Sequence, residues 1–143
     1  MTQQMKCRHI TRRGFTIAIA GIALASARPA SASRSQPIYN VSNPMPPTVR
    51  RLSLERIETS IVAAAGAQGW MTKHVSPGLL EATFRQKTHV AVVEIGFDKD
   101  KWTIVYKTSE HLNQDGNRIH PHYNAWIQKL ERNINYKLSS VAP

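Results

Sequence analysis

The chain has 143 residues, 41% of them hydrophobic, with 19 Lys and Arg against 9 Asp and Glu for a formal charge of +10. That length suits one small domain, and a single cysteine excludes an internal disulfide framework.

The N-terminus combines a basic start, an apolar run from Phe15 to Ala27 and the small-x-small pattern Ala30-Ser31-Ala32. Crossing a hydrocarbon core takes about 20 residues as a helix, and this run has only 13. A cleaved signal peptide over residues 1–32 is predicted, with no transmembrane segment. Thr11-Arg12-Arg13-Gly14-Phe15 resembles the twin-arginine export signal. An apolar run rich in Ala and Gly, with Arg28 before the cleavage site, fits that route better than the general secretory one. Cys7 precedes the apolar run, so no lipid-anchor cysteine follows the signal.

Cleavage after Ala32 leaves no cysteine, which excludes thiolate metal sites and a cysteine nucleophile. It also removes Lys6, Arg8, Arg12, Arg13 and Arg28, so the mature balance is 14 basic to 9 acidic residues, or +5. The expected location is periplasmic or secreted, and the expected partner is an envelope protein or an anionic envelope component. Nucleic acid is not an expected partner, because no basic stripe carries base-reading residues.

Residues 33–47 contain Pro37, Pro44, Pro46 and Pro47 and read as a Pro-rich spacer. A single domain is predicted over residues 48–143. Ser53 caps a first helix, Glu55 and Glu58 sit near its positive end, and Leu54, Ile57, Ile61 and Ala64 or Ala65 form its apolar face. Gly66 or Gly69 ends it. The period then falls to two, predicting strands over Trp70–Val75, Leu79–Lys87, His89–Phe97 and Trp102–Lys107, with turns at Ser76-Pro77-Gly78 and Asp98–Lys101. On the wet face Glu81, Arg85, Glu94 and Lys107 are placed to pair across strands. Residues 109–119 form a polar loop turning at Asp115-Gly116. A closing helix starts at Pro121, with Tyr123, Trp126, Ile127, Leu130, Ile134 and Leu138 as its apolar stripe. The fold class is therefore α+β: two layers, helix, four-stranded antiparallel meander, helix, both helices on one sheet face.

Chemical motifs are sparse. Imidazoles stand at His74, His89, His111, His120 and His122, but none forms a helical His-x-x-x-His pair, and His120 and His122 are expected to diverge across Pro121. No metal or other cofactor is expected. Ser109, His111 and Asp115 share one loop, whereas triads are assembled from separate elements on a constrained turn. Gly-x-Ser-x-Gly, a phosphate-cradling loop and a dinucleotide fingerprint are absent. His120 reads as a helix cap and Tyr123 and Trp126 as core.

The succession Gly69-Trp70, Pro77-Gly78, Arg85, His89-Val90-Ala91-Val92, Ile104-Val105-Tyr106, Ser109, Ile119-His120 and Tyr123-Asn124-Ala125-Trp126 resembles a family of small exported proteins and predicted lipoproteins of Gram-negative bacteria. The resemblance covers about residues 52–139 and implies an envelope location and one domain, but no activity. The reading is an exported, non-enzymatic binding or structural module, with Arg85, Lys107, Ser109, His111, His120, Tyr123 and Asn124 as candidate contact residues and no catalytic residue. The alternative is a small periplasmic hydrolase or metal-dependent enzyme using the loop and helix-start histidines.

Overall fold

A computed structural model describes residues 35–141. The predicted signal peptide lies outside the described residues.

The described chain is α+β. Its elements run β1 (Gln36–Pro37), β2 (Val41–Pro44), a 3-10 turn (Val49–Arg51), α1 (Leu54–Gly66), β3 (Met71–Ser76), β4 (Leu79–Gln86), β5 (His89–Phe97), β6 (Lys101–Glu110), β7 (Arg118–Ile119) and α2 (Pro121–Ser140).

Ser53 caps α1 by accepting the Arg56 N–H at 3.2 Å, satisfying one of the donors a helix start leaves open. At the other end Gly69 takes φ +81°, a value that costs glycine little. The chain folds back there, and the Trp70 N–H donates to the Ala65 carbonyl at 3.1 Å.

The main sheet has five strands in the order β2-β6-β5-β4-β3, each neighbour antiparallel. Four of them are the strands read from the period-two alternation. The fifth comes from the segment expected to be a spacer, which instead pairs Val41–Pro44 with Lys101–Ile104. Proline tolerates this because β2 lies at the sheet edge, where the N–H that Pro44 lacks has no ladder partner to serve. Val41 and Met45 from this region are buried in the core, as is Val49 just after it. Gly78, at φ +81°, lies so close to β5 that a Cβ there would meet the Phe97 carbonyl oxygen at 2.7 Å.

One sheet face and both helices share a single apolar cluster: Leu80, Ala82, Val93, Ile95, Trp102 and Ile104 from the strands, Ile57, Ile61 and Ala65 from α1, and Tyr123, Ile127, Leu130, Ile134 and Leu138 from α2. Each large aliphatic side chain buried there contributes about 1.5–3 kcal/mol. Asn133 ties the helices together, donating to the Ala64 carbonyl at 2.6 Å.

The other sheet face is polar. Glu81 and Glu94 stand directly opposite one another, a like-charge pair. Their remedy is a register shift: Val92 pairs with Thr108 and Val93 with Tyr106, so Lys107 is the extra residue of a bulge. Its ammonium lies 2.7 Å from Glu81 and 3.0 Å from Glu94.

Residues 35–40 form a strap across the start of α2. β1 pairs with β7, the Arg118 guanidinium donates to Ser35, and Ile38 N–H donates to the Asn117 carbonyl at 2.9 Å. Tyr39 Oη and Asn43 Nδ2 both donate to the Glu131 carboxylate, at 2.9 and 2.8 Å.

Candidate functional site

The seven residues singled out from the sequence do not gather at one place. Arg85 is exposed on β4, and Lys107 is held by its two carboxylates, which raise its pKa by accepting its hydrogen bonds, Glu81 first and then Glu94. Ser109 Oγ lies 3.0 Å from Tyr106 Oη. His111 is exposed, with φ +56°, just after β6. Tyr123 is fully buried, edge-on to Tyr106 with ring centroids 5.5 Å apart. Its hydroxyl has no hydrogen-bond partner among the described residues, and burial pushes the phenol pKa well up. Asn124, 7% exposed, is spent on the strap, accepting the Tyr39 N–H at 3.0 Å and donating to the Pro37 carbonyl at 2.8 Å and Gln36 Oε1 at 3.3 Å. Tyr123 and Asn124 are therefore out of reach of a ligand arriving from solvent.

His120 does cap α2, its Nδ1 accepting the His122 N–H at 3.2 Å. The same bond corrects one expectation. The rings of His120 and His122 do not diverge; their centroids are 4.5 Å apart. Proline at the first helical position is preceded by an extended His120 (φ −59°, ψ 138°), and the cap bond folds that ring back over the first turn. His89, at the start of β5, approaches both at 6.4 Å.

From this cluster a ribbon of rings continues along the molecule. His122 and Trp126 are four residues apart on one helix face, with centroids 6.2 Å apart. Trp126 meets Phe84 at 4.9 Å, and Phe84 meets Trp70 at 5.2 Å, both tilted. Such tilted contacts at 4.5–7 Å add about 0.5–1.5 kcal/mol beyond burial. Phe84, His89, His120 and Trp126 are half-buried and His122 is exposed, so the ribbon presents aromatic surface to solvent. Beside it lies a pocket of about 130 Å³ lined by Gln68, Trp70, Phe84, Gln86, Trp126 and Lys129. Three aromatic rings, two amides and one ammonium can stack on a flat ligand and hydrogen-bond its edge.

No element alone announces this ribbon, because its residues span positions 70 to 126 and only the fold joins them. One sequence signal was available. Gln86 and His89 flank a two-residue hairpin turn, which forces them opposite each other at one sheet end.

A metal would fit the imidazole cluster badly. A neutral ring that accepts a hydrogen bond at Nδ1 carries its proton on Nε2, so His120 would have to give up its cap bond to become a ligand. Among the described residues no group of three His, Cys, Asp or Glu side chains is placed to hold a metal ion.

A second concavity, of about 490 Å³, lies between the start of α1 and the β3–β4 turn, lined by Ser53, Leu54, Glu58, His74 and Pro77 among others. His74 Nδ1 lies 2.8 Å from Glu58 Oε1, a carboxylate that orients the ring and leaves Nε2 for other work. Ser53 is less available, since its hydroxyl caps α1.

No helix among the described residues is long and apolar enough to cross a membrane. Compared with known proteins, the chain matches no family model, no curated protein and no solved structure.

Proposed function

We propose that this is an exported module of the cell envelope, periplasmic or secreted, that binds a partner without transforming it, and that the ring ribbon is its contact surface. The observation that carries the reading is the half-exposed continuity of Phe84, Trp126, His122, His120 and His89 beside a pocket with amide and ammonium edges. Aromatic surface of that kind is costly to leave wet and is enriched where proteins meet ligands. The basic signal-like N-terminus, the +5 charge expected after cleavage and the resemblance to small exported proteins support the location and an anionic ligand.

The test separates an envelope extract into protein, lipid and glycan pools and adds each to the isotopically labelled mature chain. Perturbation of the Trp126 indole and His122 ring resonances by one pool is expected. Perturbation confined to His74, or none from any pool, contradicts the reading.

A small hydrolase remains the second reading, with one observation in its favour: the Glu58–His74 pair beside the larger concavity. In that reading His74, not the helix-start histidines, is the general base. Ester or amide hydrolysis by the purified chain, abolished in His74→Asn, would establish it over the first.

A further inference from the structure

We infer that the pocket between Trp70, Phe84 and Trp126 takes one carboxylated sugar residue of an envelope glycan, an inference that rests on the ribbon being the contact surface. The size of the pocket is the first constraint. At about 130 Å³ this open depression seats one ring lying against its walls rather than enclosing a long chain. Its chemistry is the second. A pyranose presents a face of C–H bonds and an edge of hydroxyls, and the pocket offers tilted aromatic rings for the one and the amides of Gln68 and Gln86 for the other. An amide donates and accepts at once, as a hydroxyl does, so two amides read a sugar edge whichever way its hydroxyls point.

Charge is the third constraint. Lys129 lines the pocket and no acidic residue does. Lys129 forms no ion pair among the described residues; the ion pairs there are those of Arg50, His74 and Lys107. One ammonium suits a carboxylate. A phosphate is better served by an arginine fork or a row of backbone N–H groups, and the pocket lining includes no arginine. A nucleobase also stacks on aromatic rings, but strand binding needs a cationic groove to follow the phosphates, and a single lining lysine does not make one. Beyond Trp126 the ribbon continues to His122, placing a second stacking ring where the next sugar of a chain would lie.

The experiment titrates the full mature chain, followed by tryptophan fluorescence and by the Trp126 indole resonance, with three probes: a galacturonic acid trimer, its methyl ester and a short single-stranded oligothymidylate. Lys129→Gln and Gln86→Ala change exposed side chains and serve as the variants, with unchanged melting confirming the fold. The acid trimer should bind about tenfold more tightly than its ester, the discrimination expected of one charge-assisted contact. Lys129→Gln should bring the acid down to the ester while leaving the ester unchanged, and Gln86→Ala should weaken both. Equal binding of acid and ester, insensitivity to Lys129→Gln, no saccharide binding, or preferential binding of the oligothymidylate each overturns the inference. If saccharides fail while the protein or lipid pool still perturbs Trp126, the contact surface stands and only the ligand class is wrong. If no pool perturbs the ribbon, both fail.

Discussion

Asn124, on the second turn of an exterior helix, holds Tyr39 in place by accepting its backbone N–H at 3.0 Å, across 85 residues of sequence. The same side chain donates to the Pro37 carbonyl, so one amide fastens both ends of a three-residue stretch of strap to α2. Removing it breaks three part-buried hydrogen bonds, each contributing about 0.5–1.5 kcal/mol. Asn124→Ala should therefore destabilise by about 2–3 kcal/mol and increase amide exchange at Tyr39 ahead of the core strands. Denaturant melts together with hydrogen exchange check this, and protection at Tyr39 equal to the parent's would contradict it.

Tyr123 gives a prediction of opposite sign. Its hydroxyl is buried without a partner, so Tyr123→Phe removes a desolvation cost while keeping the ring. The expected gain is about 1 kcal/mol, read as a melting temperature higher by about 4 °C. A lower melting temperature would mean the hydroxyl is satisfied.

Alkaline pH should find the same residue. Burial raises the Tyr123 pKa above its ordinary value, and at Tyr39 the hydrogen bond to Glu131 does so, with smaller help from burial. A group whose folded pKa lies above its unfolded pKa contributes stability that is complete below the unfolded value, near 10.0 for tyrosine, and is lost as pH rises toward the folded value. Stability should fall as pH rises past about 10, and Tyr123→Phe should flatten that fall. An unchanged slope in pH-dependent melts would assign the loss to other groups.

Lys107 has its effect at the acidic end. It sits between two carboxylates that the register sets face to face, and its hydrogen bond is the largest cause of the lowered Glu81 pKa. A depressed carboxylate pKa contributes stability above the unfolded value that is lost as pH falls through the folded one. Lys107→Gln should lower the melting temperature at pH 7 and converge on the parent as acid protonates Glu81, whose lowered pKa delays that loss below the ordinary carboxylate range. A deficit that persists in acid would point to lost packing at the bulge.

Trp126 is half-buried and rests on Phe84 rather than filling the core. Trp126→Ala should cost about 2–3 kcal/mol, less than the 3–5 kcal/mol typical of a fully enclosed large ring. Trp102, fully buried, sets the comparison, and its alanine variant should melt lower.

Most of the architecture was legible because local chemistry and tertiary structure agree. Ser53 and His120 read as caps and do cap, and the alternation from Leu80 to Tyr106 has a buried face to serve. The strap was not legible, because proline density signals extended chain without saying whether that chain is paired. Val41 and Met45 are the residues that decide it, and their partners lie about sixty residues away in β6 and its preceding turn. The ribbon was illegible for the same reason at larger scale. Histidines, tryptophans and a phenylalanine from α2, two strands and a turn meet only once the sheet register and helix docking are set. Asn124 is a different case. A polar residue at a helix start reads as a contact for a partner, and here the partner is the chain's own N-terminal segment.

The central claim is that the molecule meets its ligand along the ring ribbon, and side-chain resonances report on it directly. Adding fractionated envelope material to the labelled mature chain should shift the Trp126 indole and His122 ring signals first, with Trp102 unmoved in the core. Shifts that gather instead at His74 and Glu58, or spread evenly over the surface, would contradict it.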